Sequence, residues 1–247
     1  MAYLAAIIST LAISLISLVG VFSLSLKEEF LRKYIFLFVS LAVGALLGDA
    51  FIHLIPESFE TLQNNTTASL LIIAGIFLFF ILEKFLHWHH HSDDTVENHP
   101  HPVGKLILFS DGVHNFIDGI VIGASFLISI PIGIATTVAV ILHEIPQEIG
   151  DFAVLLHAGY TRKKALWLNF LSALTAILGT LVAFVLGATG ETFTTWILPI
   201  AAGGFIYIAV ADLIPELHKT KVVKHSLLQF LALAVGVLLM LGLLFLE

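Results

Sequence analysis

Two short runs carry most of the chemistry in this chain: His114-Asn115-Phe116-Ile117-Asp118 and His143-Glu144-Ile145-Pro146-Gln147-Glu148. Both lie inside strongly apolar stretches. Imidazoles and carboxylates are costly in hydrocarbon, so such residues turn toward a bundle interior and mark an ion path. On a helix, residues four apart share a face and lie roughly 6 Å apart along the axis. That spacing pairs His114 with Asp118, His143 with Gln147 and Glu144 with Glu148. Asn115 adds an amide oxygen beside the first pair, and Asp151 continues the polar series one turn beyond Gln147. Antiparallel approach of two such helices assembles one or two sites of mixed nitrogen and oxygen donors. This donor set suits zinc, iron(II) or manganese better than calcium or magnesium, whose sites are made of oxygens. The chain has no cysteine, which excludes thiolate ligands and disulfides.

Each polar residue also has a purely structural reading. His114 and His143 can hydrogen-bond within a bundle, and Asn115, Gln147 and Asn169 can pin neighbouring helices together. Asp118, Glu144 and Glu148 resist that reading, because buried acids need protons, cations or donors. Gly119, Gly123 and Gly150 are expected to allow close helix contact. Pro146 either kinks its helix or frees a carbonyl near the path.

The elements that position these groups are legible from composition. Of 247 residues, 58% are hydrophobic and only 12% are Asp, Glu, Lys or Arg, against about 25% charged in soluble domains. Mean hydropathy is +1.02. Eight apolar segments are predicted at 3–25, 33–57, 68–87, 105–128, 132–157, 164–187, 195–216 and 224–246. Each is close to the ~20 residues that cross a bilayer. The first lacks a basic start and a cleavage signal, so it reads as a retained helix. The expectation is an all-α polytopic membrane protein, one transmembrane domain over 1–247. With eight spans, every Lys and Arg falls in connections on one side, which the positive-inside rule places in the cytosol with both termini outside. The net charge of -7 and the membrane-bound pattern of basicity give nucleic acid no platform.

Residues 44–57, GALLGDAFIHLIPE, are echoed at 203–216, GGFIYIAVADLIPE. His53 aligns with Asp212, Pro56 with Pro215 and Glu57 with Glu216. The two segments run in opposite directions in the predicted topology, as inverted transporter repeats do.

The motifs HNFIDG and HEIPQEIGDFAVLLHAG, with HLIPE in the second segment, resemble the paired metal-site signatures of the ZIP family of divalent-metal transporters. The resemblance extends over essentially the whole chain. It implies a 3+2+3 arrangement of eight helices, dimerisation, and transport of zinc or related metals, including iron(II), manganese or cadmium, toward the cytosol across the cell membrane. It also implies a binuclear site drawing on His114, Asn115, Asp118, His143, Glu144 and Gln147, with Glu148 close by. His53, Glu57, Asp151, Asn169, Asp212 and Glu216 are candidate pathway residues. One departure bears on selectivity: many family members resemble HEIPHE, and here Gln147 stands at the second histidine's place. A glutamine oxygen lacks imidazole basicity.

The connection 88–104 with its flanks holds His87, His89, His90, His91, His99 and His101 beside Asp93, Asp94 and Glu97. On the cytosolic side it would capture or sense an exiting metal. Two rival classes remain at this point: a membrane metalloenzyme, since HEIPQ nearly matches HExxH, and a noncatalytic metal receptor.

Overall fold

The computed structural model describes residues 1–18, 28–88, 102–188, 191–219 and 222–246. These residues are helical almost throughout, as hydrocarbon demands of a chain that must satisfy its own backbone. The order is α1 (Ala2–Ile16), α2 (Glu28–Gly48), α3 (Ile55–Leu62), α4 (Asn65–Trp88), α5 (Pro102–Ile128), α6 (Ile130–His157), α7 (Arg162–Ala173), α8 (Thr175–Gly187), α9 (Glu191–Tyr207), α10 (Ile214–His218) and α11 (Val223–Leu243). Among the described residues, seven helices are long and apolar enough to cross a membrane, and α1 is a shorter apolar helix. The chain is an all-α polytopic membrane protein.

Prolines explain two irregularities. Pro56 and Pro215 carry no N–H and cannot close an ordinary helical turn. In both places the preceding helix widens into a π turn, Asp49–Leu54 and Ile208–Leu213. The N–H of Ile55 reaches back to the Ala50 carbonyl, and that of Ile214 to the Ala209 carbonyl. The two wide turns fall at matching places in the 44–57 and 203–216 echo. A third irregularity has no sequence signal: the predicted segment 164–187 breaks at Leu174 into α7 and α8.

Glycines set the helix crossings. A Cβ at Gly44 would strike the Leu233 backbone, and one at Gly236 would strike that of Leu41, which seats α2 on α11. Gly75 and Gly203 bring α4 onto α9 against the backbones of Ile200 and Ile72. Gly119 and Gly179 do the same for α5 and α8 against Ala176 and Phe116, and Gly123 meets Ala183 and Thr180. Thr180 Oγ1 donates to the Gly119 carbonyl at 3.0 Å across the same crossing. Gly150 departs from expectation: no atom lies where its Cβ would point, so it serves no crossing.

The α2 span is 67% buried and the α6 span 56%, whereas α4 and α11 are each 17% buried. The first pair therefore lies inside the bundle and the second pair faces lipid. Of the predicted loop 88–104, Trp88 ends α4 and 102–104 begin α5. Residues 89–101 lie outside the described residues.

Candidate metal centre

One residue joins the two helices that carry the motifs. Ser129, in extended conformation (φ -155°, ψ 156°), ends α5 and caps α6 by accepting from the Ile132 N–H at 3.2 Å. His114 lies fifteen residues before this turn and His143 fourteen after it. At 1.5 Å per residue both are roughly 21 to 23 Å from the corner, so they meet at the same depth. Asp111, His114, Asn115 and Asp118 recur at three- and four-residue steps along α5, forming one stripe. His143, Glu144, Gln147, Glu148 and Asp151 form the facing stripe on α6.

Four of these residues converge. His114 Nε2 lies 3.2 Å from His143 Nε2, 3.7 Å from Asp118 Oδ2 and 3.6 Å from Glu144 Oε1. His143 Nε2 lies 3.2 Å from Asp118 Oδ2 and 3.6 Å from Glu144 Oε1. Donors bound at about 2.0 to 2.1 Å to one tetrahedral cation sit roughly 3.3 to 3.4 Å apart. The observed separations bracket that value. The tetrad is almost wholly enclosed, but the His114 side chain keeps 18% exposure. His143 Nδ1 contacts the Ala139 carbonyl at 3.2 Å. A carbonyl only accepts, so Nδ1 carries the proton and Nε2 presents a lone pair to the tetrad.

A second group shares Glu144. Carboxylate oxygens of Asp111, Glu144 and Glu148 all lie within 4.8 Å of one another, and all three residues are buried. Asn115 Nδ2 donates to Asp111 Oδ1 at 2.8 Å, and Asn169 Nδ2 on α7 donates to Glu148. Asp111 did not belong to either sequence motif. Its signal was its place one turn before Asn115 on the same stripe.

A cavity of about 550 Å³ borders both groups. His114, Asp111, Gln147, Asp151, Glu83 and Tyr207 are among its lining residues. The Tyr207 hydroxyl donates to the Glu83 carboxylate at its edge. The cavity lies against the end of α4 that carries Lys84 and the end of α5 that carries Lys105. Toward the opposite end, Val121, Ile122, Phe126, Ala139, Val140 and Leu198 form packed apolar core. The site thus borders a cavity toward the lysine-bearing end, and packed apolar core lies toward the other end among the described residues.

The remaining predicted residues are distributed differently. Buried His53 sits in the first π turn, where its Nε2–H donates to the Met240 carbonyl at 3.0 Å and ties α2 to α11. Half-buried Glu57 lies in α3, and neither it nor His53 belongs to the two donor groups found among the described residues. Asp151 and Gln147 line the cavity, and buried Asn169 holds Glu148. The side chains of His87, Asp212 and Glu216, and all of His89, His90, His91, His99 and His101, lie outside the described residues.

Fold and site together define a multi-pass membrane protein with clustered cation donors at the depth of its helices. The ZIP zinc transporter family model matches residues 2–105 and 102–244, and the chain belongs to that family. It is 38% identical over 216 residues to zinc transporter ZIP13 of Pongo abelii, covering 82% of this chain and 64% of that protein. It is 34% identical over 307 residues to zinc transporter ZIP4 of Rattus norvegicus, covering 96% of this chain and 46% of that protein. A ZIP13 homolog of Drosophila melanogaster is 32% identical over 283 residues, covering 87% of this chain and 78% of that protein. The chain thus spans less than two thirds of the length of the ZIP13 and ZIP4 relatives named first.

Proposed function

We propose that the chain carries divalent transition metal through the membrane toward the cytosol, with zinc as principal cargo and iron(II), manganese and cadmium as candidates. The tetrad of His114, Asp118, His143 and Glu144 carries this reading, because its separations suit a tetrahedral cation at membrane depth. Glu144 joins it to the Asp111, Glu144 and Glu148 group, which makes a binuclear centre with Asn115 and Gln147 beside it. Asp151 would pass the ion into the cavity, and His53, Glu57, Asp212 and Glu216 would border access on either side. Release there is cytosolic if the lysine-bearing ends face inward, and both termini then lie outside.

The same reading takes α1 as an eighth span, in a 3+2+3 grouping around α5 and α6. Inverted repeats are supported by the two π turns before Ile-Pro-Glu. They are supported too by the matched glycine crossings, Gly44 with Gly236 and Gly203 with Gly75. Exchange between two related halves would close the cavity and open the apolar side. Residues 1–247 form one transmembrane unit, the 88–104 histidines collect exiting metal, and two copies associate. Membership of a transporter family, with Gln147 where a zinc hydrolase needs its second histidine, leaves the metalloenzyme reading without support.

Metal uptake by proteoliposomes tests this. His143→Ala should reduce zinc flux by about a hundredfold, in keeping with loss of a direct ligand rather than a supporting group. Folded wild-type protein that binds zinc tightly yet moves none of the four metals would leave only the receptor reading.

A further inference from the structure

An apolar groove of about 500 Å³ runs between α5 and the α7–α8 pair, and none of the acids or imidazoles of the metal centre lines it. Leu108, Gly112 and Phe116 form part of one wall, and Leu168, Leu171 and Leu178 part of the other. Polar atoms along it are already engaged within the protein. Thr175 Oγ1 donates to the Gly112 carbonyl at 2.6 Å, and Ser172 Oγ donates to the Asn169 carbonyl at 2.8 Å. The groove therefore presents hydrocarbon to whatever fills it.

Both walls begin at an exposed lysine. Lys105 stands one turn before Leu108 and shares a helix face with Gly112 and Phe116. Lys164 stands one turn before Leu168 and shares a face with Leu171. Its Nζ lies 5.2 Å from the centroid of the Tyr160 ring. That ring packs on Gly104, beside Lys105, where a Cβ would strike it. Exposed Arg162 and Lys163 adjoin Lys164. The N-termini of α5 and α7, the positive ends of their dipoles, lie at this same end. No Asp or Glu occurs in 102–110 or 161–178. Phe116 lies eleven residues beyond Lys105, about 16 Å along the helix. That length matches one leaflet of a hydrocarbon core about 30 Å thick.

We propose that this groove seats one acyl chain of an anionic phospholipid, with Lys105 and Lys164 meeting its phosphate-bearing headgroup. The charge at the mouth favours an anionic lipid over a neutral one. It also disfavours a second copy as occupant, because two copies inserted the same way would bring the same lysines together. The site lies on the lipid-facing side of α5 and does not depend on which cation the chain carries.

Native mass spectrometry of the purified full chain, released from neutral detergent, tests this by titration with dioleoylphosphatidylglycerol and dioleoylphosphatidylcholine. A lysine near a charged lipid surface is worth about fivefold in affinity, so two should favour the anionic lipid by about 25-fold. Lys105→Gln and Lys164→Gln should each lower that preference about fivefold, and the double variant should remove it. Both residues are exposed, so neither change disturbs packing. Lys224→Gln, on α11 and outside the groove, should leave it unchanged. Gly112→Leu, which extends a side chain into the groove, should weaken both lipids. Equal affinity for the two lipids, a preference that survives the double variant, or an equal loss in Lys224→Gln would overturn the proposal. Glycerol phosphate competing as well as the whole lipid would reduce the site to an anion site without a chain, and overturn it too. A dimer that excludes lipid and is dispersed by Gly112→Leu would assign the groove to a second copy instead. If Gly112→Leu fails to fold, the lysine variants decide.

Discussion

His143 has one ring nitrogen occupied by the Ala139 carbonyl and the other aimed at His114 and Asp118. A ligand held in this way needs little reorganisation to receive a cation. The cost of that readiness is several carboxylates at close range in a buried site, which a bound cation offsets. Metal should therefore stabilise the fold. Zinc at about a hundred times its Kd should add about 2.7 kcal/mol, seen as a higher Tm that a chelator reverses and that His143→Ala abolishes. A Tm indifferent to zinc and chelator would contradict the site. Asn169 holds Glu148 from a third helix. Asn169→Leu leaves that buried carboxylate without its donor, and should cost about 1 to 3 kcal/mol in metal-free thermal unfolding.

The helices that carry these residues are held at distances set by their smallest side chains. At the crossing of α5 and α8, Gly119 and Gly179 each lie against the other helix's backbone, where no flexible side chain can yield. Gly119→Val should cost about 3 kcal/mol or more, at the upper end of overpacking, and separate the motif helix from its support. Gly150, with open space at its Cβ position, should accept alanine with no loss and a gain of up to about 1 kcal/mol from helix propensity. Comparing the thermal stabilities of the two variants in detergent checks both. A Gly119→Val protein as stable as Gly150→Ala would mean that the crossing is looser than its geometry. The π turns act at this scale too, since each adds a wide turn just before a proline and shifts the face that follows.

For the whole molecule, the cavity on the lysine-bearing side and the packed apolar core opposite describe one accessibility state. The chain contains no cysteine, so introduced thiols report without background. Ala153→Cys, exposed at the cavity, should react with an impermeant maleimide added to the lysine-bearing side of oriented vesicles. Ser125→Cys, fully buried toward the other end, should stay protected from both sides in this state. Fast labelling of Ser125→Cys from the far side, without metal or gradient, would place the opening at the wrong end.

The sequence by itself determined the apolar spans, the one-sided placement of lysine and arginine, and the two motifs whose four-residue steps align donors on a helix face. These depend on local periodicity and on the cost of burying polar groups, both carried by the chain order. Even the common depth of His114 and His143 follows from their near-equal distance to Ser129. Tertiary structure decided the rest. Asp111 lies on a legible stripe, but its partnership with Glu144 and Glu148 depends on how α5 and α6 are rotated against each other. The break at Leu174, the open space at Gly150 and the side on which the cavity lies likewise depend on helix crossings. Periodicity states which residues share a face of one helix. Which faces meet is settled only when backbones pack to contact, and that packing is what turned two motifs into a tetrad and an oxygen-rich neighbour.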